Sequence, residues 1–371
     1  MKVVKVRSPF IIEVNETGQI GSKIELSIWN GSAYPTSGTG FYSLSKLIPS
    51  ASQINTYYNV SNYVKEFINN IKPTYSTYAD NEQSNEWVKF QIKRYKLVGD
   101  TYTEVGTATE YVGINGFSNY SDGYQNPSNN KMSILTNTNI NNYYFKNPLG
   151  YSNIPYINFL IEKDTTTTTT VNALYERIDG TVYSSTQNIL LGLSGVYNVK
   201  IPTTLIIVDG NFVNGCKVTV TLTPVTGIPT VYIFYTYPIE ECKYTPVKCE
   251  FINRYGGWEF LTFFKQQTNT IAVKGTDYKL TQSTINYNTS IGQFKTFNTN
   301  GKQTLKLNTG FVDENYSELI TDLLLSETVL LDGKPVTVKT QGSDLKTSLK
   351  DRLINYEMDF EYAYNLINDV V

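Results

Sequence analysis

Hydrophobic positions in this chain alternate more often than they recur at helical spacing. In KIELSIWNG, Ile24, Leu26 and Ile28 alternate with Lys23, Glu25 and Ser27. One row of side chains then faces an interior and the other faces water, and Asn30-Gly31 stops the strand. WVKFQIKRYKLVGDTYTEV repeats that period through Val88, Phe90 and Ile92, ahead of a Gly99-Asp100 turn. Between them, SNYVKEFINNI places Val64, Phe67, Ile68 and Ile71 at helical spacing, with Ser61 as N-cap and Pro73 beyond the end. Residues 1–110 therefore predict an N-terminal β-domain with one inserted helix.

The period dissolves over residues 111–155, where Asn, Ser, Gly and Tyr dominate. This predicts an extended loop or arm whose backbone lies outside the modules and whose aromatics, Tyr143, Tyr144 and Phe145 among them, dock on a neighbour. Residues 156–245 predict a second β-domain. After the hydrophilic run 164–170, which includes a hexathreonine read as a strand edge or exposed loop, ALYERIDGTVY carries a hairpin signal at Asp179-Gly180. TLIIV, KVTVTLTPV and TVYIFYTYPIE add strands, the apolar centre of TLIIV predicting one covered on both faces.

Residues 246–371 predict an α+β region. Tyr316, Leu319, Ile320, Leu323 and Leu324 share one face of a helix near 313–325, with Asp313 and Glu314 where the helix dipole favours acids. A hairpin follows around Asp332-Gly333. In INYEMDFEY, Ile354, Tyr356, Met358, Phe360 and Tyr362 then alternate with Asn355, Glu357, Asp359 and Glu361. No internal repeat of fixed period is visible. The predicted fold class is mainly β: tandem antiparallel β-sandwich-like modules with one or two short amphipathic helices.

Composition sharpens this picture. The chain has 371 residues, enough for two or three domains, and its 30 tyrosines with abundant Thr and Asn suit pleated surfaces and turns. A net charge of −2 lacks the electrostatic footprint of a binder of nucleic acid or anionic membrane. Nothing approaches the ~18 apolar residues of a membrane span, and the start has no secretory signal pattern, so a soluble protein made in a cytoplasm is expected. The NVS sequon at 59–61 is then accidental.

The absence of histidine removes His-dependent triads and His-containing metal sites. Cys216, Cys242 and Cys249 form no disulfide framework and read as buried fillers. VDGNFVNGC fails calcium-loop spacing after its second member. Glu357, Asp359 and Glu361 invite a two-carboxylate glycosidase reading, but their alternation with apolar residues marks the solvated face of a sheet. Neither GxSxG, a P-loop nor GxGxxG stands in its required context. No catalytic residue, metal or cofactor is predicted.

One stretch stays open to two readings. CEFINRYGGWEFLTFFK, residues 249–265, is either a recognition platform or a structural joint. In the first, Phe251, Tyr255 and Phe260, with Trp258, present rings to a carbohydrate or partner, and Arg254 binds a carboxylate or stacks on a ring. In the second, two strands turn at Gly256-Gly257 and send their aromatics inward. The joint is preferred, because exposing so many rings would create a large apolar patch.

RSPFIIEVNETGQIGSKIELSIWNG, INRYGGWEFLTFF and LKDRLINYEMDFEYAYN resemble phrases of virion tail proteins of short-tailed phages of Bacteroidota, especially the crAss-like phages. The resemblance covers about a third of the chain. It implies a non-enzymatic β-rich subunit of a tail or head–tail ring or hub. Such a subunit would be assembled in the host cytoplasm around the tail axis, in a homo-oligomer of roughly six- or twelve-fold symmetry beside other tail or portal proteins. Arg254, Tyr255, Trp258, Tyr143, Tyr144 and Phe145 are the candidate subunit-interface residues. The alternative is a receptor- or carbohydrate-binding β-sandwich protein, to which tyrosine and tryptophan platforms are equally suited.

Overall fold

The computed structural model describes the chain except residues 31–34, 71–78, 82–85, 146–155, 164–168, 190–194, 203–214, 224–227, 240–242, 282–284, 286, 343–353 and 369–371. The protein is mainly β, built from several antiparallel sheets with only short helices among the described residues. It divides into two compact units. The first holds Met1–Ile239 together with Phe251–Phe260; the second holds Glu240–Glu250 and Leu261–Val371.

The first unit starts with a five-stranded sheet in the order Val3–Lys5, Thr101–Ile114, Trp87–Val98, Gly21–Trp29, Phe41–Leu47. Alternation decides its faces as expected. Ile24, Leu26, Ile28, Val88, Phe90 and Ile92 are buried in one cluster with Phe10, Ile12 and Val14. The last two of these come from a two-stranded ribbon, Ile11–Val14 with Thr56–Asn59.

The predicted helix is shorter than its apolar spacing suggests, running only Ser61–Lys65. Its N-cap is Val60, without a side-chain cap, rather than Ser61. The Ser61 hydroxyl instead accepts from the Phe10 amide and donates to the Ser8 carbonyl, both at 2.7 Å. Phe67 and Ile68 still pack on the cluster through tighter turns that bond back to Val64 and Lys65.

Two further sheets complete the first unit. One orders Asn142–Phe145, Thr230–Pro238, Cys216–Thr223, Thr169–Arg177 and Val182–Ile189; the other orders Ala79–Asn81, Gly195–Pro202, Tyr156–Lys163 and Met132–Ile134. Val218, Val220, Leu222, Tyr232 and Phe234 face inward at alternate positions. The Asp179-Gly180 turn forms as read, with Gly180 at φ +81° and the Asp179 carboxylate accepting from the Thr181 amide. TLIIV, all of VDGNFVNGC except Gly215 and Cys216, Cys242 and most of the hexathreonine lie outside the described residues.

Of the segment expected as an arm, 111–155, the described part, 111–145, contributes to this architecture instead. Strand Thr101–Ile114 runs through residue 110, and Met132–Ile134 pairs with Tyr156–Lys163. Asn142–Phe145 pairs in parallel with Thr230–Pro238. Leu135, Ile140 and Tyr143 are buried. The period was lost because these strands are three and four residues long, too short to show one.

The second unit orders Val329–Leu331, Lys334–Val338, Glu357–Tyr362, Phe294–Asn308 and Thr268–Lys279 in one sheet, and the strands Val247–Ile252 and Trp258–Phe263 are divided between the two units. The turn at Asp332-Gly333 has φ of +46° and +79°, the doubly left-handed conformation of a tight hairpin. The predicted helix is Tyr316–Leu324, with Tyr316, Leu319, Ile320 and Leu323 buried. Asp313 and Glu314 form the turn before it, and Glu318 is the acid in its first turn. Ile354, Tyr356, Met358 and Phe360 are buried and Glu357 is exposed, with the strand itself confined to Glu357–Tyr362.

Candidate functional site

CEFINRYGGWEFLTFFK folds as two strands joined at Asn253–Gly257, and that joint is built into the first unit. Asn253, fully buried, organises it: its Oδ1 accepts from the amides of Tyr255 (2.9 Å) and Gly257 (3.0 Å). Its Nδ2 donates to the Leu135 carbonyl at 2.9 Å. Gly256 takes φ +80°. Gly257 has no room for a side chain, since an added Cβ would stand 2.5 Å from the Leu135 carbonyl oxygen. Gly257→Ala is expected to lower the stability of the first unit by about 1–3 kcal/mol, read as a drop in melting temperature. Asn253 was legible only as an Asn preceding a Gly-Gly turn, the residue type that bonds the backbone two positions on.

Next to this turn lies a buried polar network that sequence inspection did not find. Glu259 accepts at Oε2 from the Asn137 amide and from Asn253 Nδ2, both at 3.4 Å. The Tyr143 hydroxyl stands 3.2 Å from Glu259 Oε1 and 2.9 Å from the Tyr232 hydroxyl, its single proton serving either. Tyr232 directs its own proton to the Ile140 carbonyl at 2.6 Å. Burial, followed by the charge of Glu259, pushes the Tyr232 hydroxyl well above the usual phenol range. Glu259 is buried and takes hydrogen bonds from protein donors, and a buried polar network of this kind fixes packing.

The six residues expected at a subunit interface separate accordingly. Trp258 and Tyr143 are buried within the unit, so neither presents surface to a neighbour. Tyr143 packs on Phe234 and Phe260, with ring centres 5.6 and 5.8 Å away. Arg254 is half-buried, and its carbonyl accepts from the Phe117 amide. Tyr255 is half-buried under Lys5, whose ammonium sits 4.8 Å from the ring centre. Tyr144 stacks on Tyr237, which is substantially exposed, so this pair reaches the surface. The Phe145 side chain lies outside the described residues.

Exposed apolar surface gathers in the second unit. Thr268–Lys279 and Phe294–Asn308 form an antiparallel ribbon, and every residue of the first strand is exposed. Among the described residues, ladder pairing on the other side of the second strand covers Thr304–Asn308, with Glu357–Glu361. Beyond that point Ile271, Val273, Tyr278, Phe294 and Phe297 are exposed, and Ile285 in the connecting segment is 98% exposed. Ribbons of two strands are marginally stable in water, and exposed apolar clusters mark interaction surfaces. The outer strand is guarded against edge pairing by a bulge between Lys274 and Thr276 and by Lys274 and Lys279. Its side-chain faces, rather than its backbone edge, are therefore what it offers.

Two of the three carboxylates read as a solvated face, Glu357 and Glu361, are ion-paired. Glu361 meets Lys339 at 3.0 Å and Lys302 at 3.4 Å, and Glu357 meets Lys306 at 2.8 Å. The Lys339 hydrogen bond leads the lowering of Glu361 below the usual carboxylate range. Cys216 and Cys249 are buried free thiols, and burial pushes both upward. Among the described residues no cluster of Cys, Asp or Glu could hold a metal ion, and no helix is long and apolar enough to cross a membrane.

No protein-family model matches the chain, and no curated protein matches it. Among solved structures, the crystal structure of calcium binding domain CBD12 of CALX1.1 is similar over 61% of this chain and 79% of its own, at 10% identity and a TM-score of 0.19. At that score the likeness carries no argument.

Proposed function

We propose that the protein is a non-enzymatic structural subunit of a phage virion, a component of a tail or head–tail ring or hub that assembles around the tail axis in the host cytoplasm. The observation that carries this reading is the exposed ribbon of the second unit. A subunit that repeats around an axis buries complementary surface against the next copy, and the ribbon of Thr268–Lys279 with Phe294–Asn308 supplies a surface rich in exposed aliphatic and aromatic side chains. The tail-protein phrases at 7–31, 252–264 and 349–365 support the same class. The buried polar groups around Glu259 are consistent with a scaffold rather than a catalyst.

The test removes residues 275–299 and joins Lys274 to Asn300 through Asn-Gly, a two-residue hairpin turn. The expected result is a variant that melts like the parent and sediments as a monomer, beside a parent that forms closed rings in electron micrographs. Rings of unchanged size from the truncated chain would sink the role of the ribbon. A parent that stays monomeric at high concentration, with neighbouring tail proteins present, would sink the assembly reading itself.

A further inference from the structure

A cleft of about 550 Å³ opens in the first unit beside the small ribbon Ile11–Val14. It falls in the ~300–1,000 Å³ range of small-molecule sites. Its floor includes Ile92 and Tyr111, and its walls carry Tyr57, Tyr124, Glu13 and Arg94. Two of the rings are held in place. Tyr111 is gripped by Phe90 and Phe10, with ring centres 5.2 and 5.1 Å away. Tyr124 stacks on Phe10 and donates its hydroxyl to the Ile11 carbonyl at 2.7 Å, yet stays 59% exposed.

The charges are arranged differently from those elsewhere in the molecule. Glu357 and Glu361 sit in ion pairs, whereas Arg94 is half-buried at the cleft and forms no ion pair among the described residues. Glu13 accepts from Asn55 Nδ2 at 2.5 Å and brings a carboxylate to the same cleft. Burial raises the Tyr111 hydroxyl, while its bond to Thr109 and the charge of Arg94 act in the opposite direction.

We infer that this cleft is a binding site for an acidic saccharide, a sugar ring bearing one carboxylate. Arg94 presents the planar fork that takes a carboxylate in two hydrogen bonds. Tyr57 and Tyr124 present flat faces for the C–H side of a pyranose. Glu13 and Thr109 accept from and donate to its hydroxyls. Glu13 also disfavours a multiply charged anion such as phosphate and leaves a singly charged, hydroxyl-rich ligand as the better complement. Recognition here does not depend on the ribbon of the second unit, so it stands whether or not the protein forms rings.

The test is calorimetric titration of the full chain with trigalacturonate and with its fully methyl-esterified form, which keeps the shape and loses the charge. The acid is expected to bind saturably in the micromolar to millimolar range, about tenfold or more tighter than the ester. Arg94→Gln is expected to abolish that preference while melting like the parent, and Tyr124→Ala, which also loses its contact with Phe10 and its bond to Ile11, to weaken acid and ester alike while still unfolding cooperatively. The inference is overturned if the acid does not saturate, if acid and ester bind equally, or if Arg94→Gln binds as the parent does. Tighter binding of a short acetylated peptide with a free C-terminal carboxylate would overturn it in favour of a peptide site.

Discussion

Replacing residues 132–145 by a glycine–serine segment of equal length is expected to abolish cooperative unfolding of the first unit. The exchange keeps the chain connected but removes two strands from two different sheets. It also removes the buried side chains of Leu135, Ile140 and Tyr143. Losing three such side chains costs several kcal/mol from packing alone, comparable with the ~5–15 kcal/mol that hold a domain together. The Tyr143 hydroxyl also leaves Glu259, a buried carboxylate whose remaining donors are then fewer. The measurement is a thermal melt followed by near-ultraviolet circular dichroism. A sharp transition near that of the parent would mean that 132–145 is a dispensable arm after all.

Trp258→Ala is expected to destabilise the first unit by about 3–5 kcal/mol, through lost transfer free energy and the cavity left behind. The ring is 2% exposed. The Trp258 carbonyl accepts from Asn158 Nδ2 at 2.8 Å, so the backbone around the cavity is tethered and poorly able to collapse into it. For a unit of this size the melting temperature should fall by roughly 6–20 °C. A variant that melts like the parent but loses a binding partner would place the ring on a recognition surface and remove the structural-joint reading of residues 249–265.

What could be read from sequence follows the range of the interactions involved. Period-two runs such as Ile24, Leu26, Ile28 report a sheet with one inward face, and the structure buries all three. Asp179-Gly180 and Asp332-Gly333 announce their turns because left-handed backbone limits the residues that serve there. The helix at Tyr316–Leu324 is long enough for its apolar stripe to register. Ser61–Lys65 is not, and its neighbours Phe67 and Ile68 find the core through tight turns instead.

The misread parts depend on partners far along the chain. Asn253 holds the carbonyl of Leu135, 118 residues away, and Tyr143 reaches Glu259 across 116. No local period records such a pairing. The exposed ribbon was hidden for a different reason. TNTIAVKGTDYK alternates like any half-buried strand, and alternation cannot tell whether a second layer covers either face. Arg94 was passed over because a lone arginine in a strand is commonplace; what singles it out is the company of three tyrosines and the lack of an ion pair among the described residues.

The make-up of the first unit sets a constraint on its biogenesis. Its last piece, Phe251–Phe260, is encoded after Ile239 and after the opening of the second unit. A ribosome adding ~5–20 residues per second delivers Phe260 one to a few seconds after Ile239. During that interval Leu135, Asn158 and Tyr143 have emerged without Asn253, Trp258 and Glu259, the groups that finish their hydrogen bonding. The nascent chain must wait with a polar slot open between its sheets. Synonymous codons that slow translation between 240 and 260 would lengthen that wait and raise the share of chains captured by chaperones, with no change in the protein finally made.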